Sequence, residues 1–228
     1  MPRPLALTLF DLDHTLLEGD TDVLWCDFLL RQGTLERELF EEKNARMERE
    51  YQAGTVSPQA FCEFYVSTLA GHTKAHWEPL RREFLEAVIA PRIGRASHDL
   101  VERHRSAGEL VVLTTATNRF LTELTAVHLG LPHLIATECE HDAEGRFTGR
   151  IAGQLNMREG KVSRLHEWLA LQRMDLRDCE STFYSDSIND LPLLSAVRHP
   201  VAVNPDMRLA AVAAERNWPV LQLRDLAS

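Results

Sequence analysis

Apolar positions along the chain follow two regimes. Leu5 to Phe10 (LALTLF) is a short apolar run that ends on acidic residues, the pattern of a buried strand. From about Thr21 to Val88 apolar residues recur at helical spacing, in Leu24, Phe28 and Leu29 and again in Phe61, Phe64, Tyr65 and Leu69, with dense charge between them. Gly33, Gly54 and Gly71 punctuate this stretch, Ser57-Pro58 reads as a helix start, and the pattern offers no strand. Strand signal returns at Leu110 to Leu113 (LVVL), followed by a helix from Arg119 to Leu129 that Gly130 and Pro132 close. Leu134 to Ala136 reads as a further strand, and Thr137 to Ile151 as a hairpin turning at Asp142-Ala143-Glu144-Gly145. Beyond it come a helix over Lys161 to Leu171, a strand over Ser181 to Tyr184 and a short helix over Asp190 to Ala196. A strand over Val201 to Val203, a helix over Arg208 to Ala214 and a last strand over Val220 to Leu223 complete the pattern.

Strand–helix alternation outside the helical stretch predicts an α/β fold with a doubly wound parallel sheet. The helical stretch falls between the first and second strands, so it reads as a small helical cap domain, residues 18–90, inserted into a core of residues 1–17 and 91–228. Its place is the carboxyl edge of the sheet, where such folds bind ligands.

Composition narrows the function. With 228 residues, 44% of them hydrophobic, the chain can bury one sizeable core and a second small one. The net charge is −9 and there is no basic run, which argues against a nucleic-acid partner. An acidic protein that acts on an anion must concentrate positive charge locally, through a metal ion or a well-placed lysine. Cys26, Cys62, Cys139 and Cys179 are far apart and form no metal or redox motif, so they read as buried free thiols of a reducing cytoplasm. The first residues carry too short an apolar run for a signal peptide, and no stretch approaches membrane-spanning length. The expectation is a soluble cytoplasmic protein without a membrane partner, a monomer or homodimer.

Four polar motifs follow predicted strands. Asp11-Leu12-Asp13-His14-Thr15 puts two carboxylates two residues apart, able to flank one site, though aspartates are also common in plain turns. Thr114-Thr115-Ala116-Thr117-Asn118 precedes a helix, where hydroxyls and free N–H groups suit a phosphate and equally suit an ordinary N-cap. Lys161 opens a helix after Arg158-Glu159-Gly160, within reach of an anion or simply solvated. Ser185-Asp186-Ser187-Ile188-Asn189-Asp190 carries acidic residues at i and i+4, enough oxygen for magnesium or for favourable charge at a helix start. The four occur in a complementary order, acidic, hydroxyl, lysine, acidic, each at a strand end or the start of the next helix.

On these motifs the chain resembles the phosphatases of the haloacid dehalogenase superfamily. DLDHT is similar to the first family motif, Thr115 to the second, Lys161 to the third and SDSIND to the fourth. The helical insert, Glu18-Gly19-Asp20 and the later hairpin resemble the phosphoserine phosphatase branch, and LLEGDTDVLWCDFL and YSDSINDLPLL resemble relatives of the histidinol-phosphatase kind. The resemblance implies Asp11 as nucleophile and metal ligand. It implies Asp13 as general acid and base, lending its carbonyl to the metal. Thr115, the Ala116 backbone, Asn189 and Lys161 would hold phosphate, Asp186 would bind Mg²⁺, and Asp190 would support Lys161 or the metal's waters.

The departures bear on substrate. Ser185 and Ser187 stand where many relatives have glycine, and Ala116-Thr117 where phosphoserine phosphatases have small glycines. An alignment anchored on Gly54 puts Glu63-Phe64-Tyr65 where those enzymes use an arginine for the substrate carboxylate. Asp20 occupies the position that reads a substrate amine, or it caps the first helix of the insert. The expected activity is therefore hydrolysis of a small amine-bearing phosphorylated metabolite. Phosphoserine hydrolysis is the second reading, and a non-catalytic phospho-ligand-binding module the third.

Overall fold

The computed structural model describes residues 4–53 and 55–223; Gly54, on which the cap alignment was anchored, lies outside them. Seven strands form one sheet: β1 (Leu5–Phe10), β2 (Leu110–Asn118), β3 (His133–His141), β4 (Phe147–Ala152), β5 (Cys179–Ser185), β6 (His199–Val203) and β7 (Val220–Leu221), in the order β4-β3-β2-β1-β5-β6-β7. All neighbours run parallel except β3 and β4, the hairpin read from the sequence.

Two strands are longer than their apolar runs. β2 continues past LVVL through Thr114, Thr115 and Thr117, whose β-branched side chains suit a pleated surface, and it shifts register between Thr115 and Asn118. The second polar motif is thus the last stretch of a strand, and Asn118 caps the next helix by accepting the Leu121 N–H at 3.1 Å. β3 pairs parallel with β2 over its first half and antiparallel with β4 over its second, so one strand replaces the separate strand and hairpin arm predicted.

Between β1 and β2 the described residues form the helices α1 (Thr21–Arg31), α2 (Arg37–Gln52), α3 (Pro58–Val66) and α4 (Lys74–Phe84), with short 3₁₀ and π segments, and then α5 (Arg95–Ser106). α6 (Arg119–His128), α7 (Glu159–Leu171), α8 (Leu191–Ala196) and α9 (Met207–Arg216) connect the later strands. One apolar cluster joins Trp25 and Phe28 of α1 and Trp77 and Phe84 of α4 to Phe10, Leu113 and Phe120 on one side of the sheet. A second, on the other side, joins Leu165 and Leu169 of α7, Leu193 and Leu194 of α8 and Leu209 of α9 to Leu7, Leu9, Val112 and Phe183.

The inserted helices are tied to the sheet in two further places. The Gly71 N–H donates to the Phe147 carbonyl and the Phe147 N–H to the His72 carbonyl, each at 2.9 Å, which fastens the connection between α3 and α4 to β4. Gly149 sits at φ +84 with Ser67 Cα 3.2 Å from where its Cβ would be, so a side chain there would push this contact apart. Buried Arg81 of α4 donates to the Phe120 carbonyl at 2.7 Å, lies 4.5 Å from the Phe120 ring centre and pairs with Glu78 at 2.6 Å. All four cysteines are free and buried. No helix of the described residues is long and apolar enough to cross a membrane.

Candidate active site

β1 lies between β2 and β5, with Phe10 opposite Leu113 on one side and Tyr184 on the other. The Asp11 N–H extends that pairing by one residue, donating to the Tyr184 carbonyl at 2.9 Å. Asp11 and Asp186 therefore leave adjacent central strands at the same carboxyl edge. His14, at φ +58, turns the chain sharply after Asp13 and returns Thr15 to the site. The Thr15 hydroxyl lies 3.2 Å from Asp11 Oδ2 and 3.1 Å from Asp186 Oδ1, and accepts the Asp186 N–H at 3.0 Å.

Lys161 is 2% exposed and donates to Asp11 Oδ1 and Asp190 Oδ2, both at 2.7 Å. Ser185 donates to the same Asp190 oxygen at 2.7 Å, so the serine that departs from the family pattern is part of the lysine's support. Gly160 makes the approach of α7 possible: a Cβ there would lie 2.1 Å from the Leu155 carbonyl oxygen. The Asp13 carboxylate accepts from the Thr21 N–H at 2.8 Å, from the Thr21 hydroxyl, and from the Thr117 hydroxyl at 2.8 Å.

A cavity of about 170 Å³ opens over these groups. Six aspartates line it, Asp11, Asp13, Asp20, Asp22, Asp186 and Asp190, against one lysine, Lys161. Burial is the main reason that the Asp11 carboxyl is raised well above the usual range, with Lys161 opposing the shift. Burial likewise pushes Asp186 up to about 6, and the Asp22 carboxyl well upward with Asp20 and Asp13 adding to it. Burial works against the charge on Lys161, but Asp11 and Asp190 outweigh it and raise its pKa.

The other residues expected from the sequence divide. Ala116 and Asn189 line the cavity, and Asn189 Oδ1 also accepts from Arg158 Nε at 3.3 Å. Thr115 is fully buried beneath it, accepting the Thr117 N–H at 3.1 Å with its hydroxyl 3.4 Å from Asp13 Oδ2, and Thr117 reaches the cavity wall. Asp20 lines the cavity and is also the N-cap of α1, accepting the Val23 N–H at 3.0 Å. From α3 the wall takes Phe61 and Cys62; Glu63, Phe64 and Tyr65 are not among its residues.

The sequence pattern gave no sign of several contributors. Asn156 is fully buried and donates to the Thr114 hydroxyl at 3.1 Å, the Thr115 carbonyl at 2.8 Å and the Ile135 carbonyl at 3.0 Å, which holds the end of β2. Thr15 belongs to a recognisable motif, but its bridging role is a matter of distance. Asp22 is an acidic residue in the first turn of α1, a position common in any helix.

The haloacid dehalogenase-like hydrolase family matches residues 8–195. A histidinol-phosphatase from Neisseria meningitidis is 38% identical over 219 residues, 96% of this chain and 99% of its own length. A phosphoserine phosphatase from Mycobacterium tuberculosis is 32% identical over 96% of this chain and 71% of its own. A crystal structure of a Bordetella pertussis protein of unknown function superimposes with a TM-score of 0.93 at 42% identity, covering 97% of this chain and 100% of that one. With four strand-end motifs converging on one acidic cavity, the chain belongs to the haloacid dehalogenase-like hydrolases and, within them, to the phosphatases.

Proposed function

We propose that the chain is a Mg²⁺-dependent phosphomonoesterase. Its substrate would be a small amine-bearing metabolite phosphate of the histidinol phosphate kind, hydrolysed through an aspartyl phosphate on Asp11. The observation that carries this is Asp11 itself: a carboxylate at the central strand end, oriented by Lys161 on one oxygen and Thr15 on the other, at the base of the cavity. The name of the Neisseria relative supports the substrate class.

The donor set suits magnesium. Asp11 and Asp186 supply hard carboxylate oxygens that one hydroxyl spans, and their burial leaves negative charge that Lys161 offsets only in part. Those two carboxylates with the Asp13 main-chain carbonyl would hold the ion, which when bound neutralises charge on the phosphoryl oxygens. Among the described residues no three His, Cys, Asp or Glu side chains form a ligand group, and in this reading the Asp13 carbonyl would be the third donor.

Asp11 attacks phosphorus as the ester P–O bond breaks, and Asp13 gives its proton to the departing alkoxide. Water then attacks the aspartyl phosphate, Asp13 takes the water's proton, and phosphate leaves as Asp11 is regenerated. Lys161 stabilises negative charge throughout, and Asp190 and Ser185 keep its ammonium aimed at the site. The four buried thiols fit a cytoplasmic setting.

Phosphoserine hydrolysis is favoured by the Mycobacterium relative's name and opposed by the cavity. Among the described residues no arginine lines it, and Arg158 meets the wall only by donating to Asn189, so the arginine expected for a substrate carboxylate has no counterpart on the wall. Asp11→Asn should keep the fold, seen in an unchanged circular dichroism spectrum, and lower kcat by roughly 10³-fold or more. Chelation should abolish activity and Mg²⁺ restore it. Ordinary turnover by Asp11→Asn would eliminate the covalent route, and full activity in excess chelator would eliminate the metal.

A further inference from the structure

We propose that Asp22 is the specificity-determining residue that receives the cationic nitrogen group of the substrate. The inference rests on the phosphatase reading above and sharpens it, because Asp22 of α1 and the N-cap Asp20 both line the cavity and only Asp20 spends its carboxylate on capping the helix. Asp20 is the N-cap, with an oxygen engaged by the Val23 N–H at 3.0 Å. Asp22, two residues on, has no capping role. Its hydrogen bond comes from Asn118 Nδ2 at 3.3 Å, across the cleft from the end of β2.

That amide cannot turn to serve Asp22 differently. Asn118 Oδ1 accepts the Leu121 N–H at 3.1 Å as the cap of α6, which fixes Nδ2 toward Asp22. Asp22 has no Lys, Arg or His partner within ion-pair distance among the described residues, so a neutral amide contact is what the fold supplies to this carboxylate. Phe61, Cys62 and Met157 supply apolar surface to a wall that otherwise carries six aspartates and one lysine. A carboxylate under those conditions is costly unless a cation meets it, and a charge-assisted bond formed there is stronger than in water. The upward shift of its pKa, caused by burial and then by Asp20 and Asp13, agrees with an unmet need for positive charge. A substrate that carried a carboxylate at this end would be repelled by both aspartates. The ligand class is therefore a phosphate monoester whose alcohol bears one or more cationic nitrogens and no acid.

The test compares kcat/KM for histidinol phosphate, which carries a cationic ammonium group, and p-nitrophenyl phosphate, which has no cationic group, in the unmodified chain, in Asp22→Asn and in Asp20→Asn. Asp22→Asn should raise KM for histidinol phosphate by about tenfold or more, the loss of one charge-assisted contact. It should lower KM for p-nitrophenyl phosphate, because a negative charge near the phosphate dianion has been removed. Opposite signs for the two esters are the signature, since a misfolded cleft would weaken both. Asp22→Ser, which is small and polar, should reproduce the crossing if the Asn amide forms new contacts. Asp20→Asn should change the ratio of the two esters less than Asp22→Asn does. If both esters move together, or if Asp20→Asn shifts the ratio more, Asp22 is not the reader. If the unmodified chain hydrolyses the aryl ester but does not favour the cationic one, the cation reading is overturned and the phosphatase reading stands. Failure to hydrolyse either ester with Mg²⁺ would overturn both.

Discussion

Asp20 holds its proton to higher pH than a free aspartate does. Its carboxyl is pushed up to about 6 from an ordinary 3.8, by burial first and the charge of Asp13 second, against the opposing Val23 hydrogen bond. Between those values the folded chain carries a proton that the unfolded chain has released. The stabilising contribution is complete below the unfolded value and is lost as pH rises through about 6. Asp22 and Asp186 shift the same way. Asn caps a helix about as well as Asp, so Asp20→Asn removes the titration and keeps the cap. In metal-free buffer, the Tm of the unmodified chain should fall from about pH 4 to 6, and the fall should be smaller in the variant. Parallel curves for the two would show Asp20 to be solvated like any surface carboxylate.

At the scale of elements, α7 carries the chemistry because of the residue before its lysine. Replacing Gly160 by Ala puts a methyl 2.1 Å from the Leu155 carbonyl, and backbone must move to make room. A shift of the helix's first turn would strain the two 2.7 Å bonds of Lys161. Gly160→Ala should cost about 1–3 kcal/mol, read as a lower Tm, and kcat should fall as well. A variant with normal Tm and normal kcat would mean that the loop at Leu155 yields freely. The placement of such elements was readable from apolar periodicity: β1, α6, β5 and α7 lie within a few residues of where the pattern puts them. The exceptions have physical reasons. Threonines extend β2 because their β-branches suit a strand, though they break an apolar run. β3 changes partner halfway along, which no local pattern encodes. The carboxylates and Lys161 were legible from their spacing after strands, whereas Asn156, the bridging Thr15 hydroxyl and the wall residues Phe61 and Cys62 depend on contacts distant in sequence.

Over the whole molecule, the helices inserted after β1 are held to the sheet unevenly. Trp25, Phe28, Trp77 and Phe84 belong to the same apolar cluster as Phe10 and Leu113, so α1 and α4 are continuous with the core. α2 has mostly exposed or half-exposed positions among its described side chains, and α3 reaches the sheet side chiefly through β4. The four thiols turn that unevenness into a clock. Burial pushes the Cys62 thiol up to about 12 and the Cys26 thiol upward as well, so neither reacts while packed. Cys62 is on α3 at the cavity wall and Cys26 is on α1 within the core. If α2 and α3 lift alone to admit substrate, a thiol-reactive disulfide reagent should modify Cys62 in an early phase. Cys26, Cys139 and Cys179 should then wait for global unfolding, and saturating inorganic phosphate with Mg²⁺ should slow the early phase. Simultaneous modification of Cys26 and Cys62 would mean that the whole insert opens as one body. The buried sulfurs thus give, without any introduced label, the order in which parts of the chain come apart.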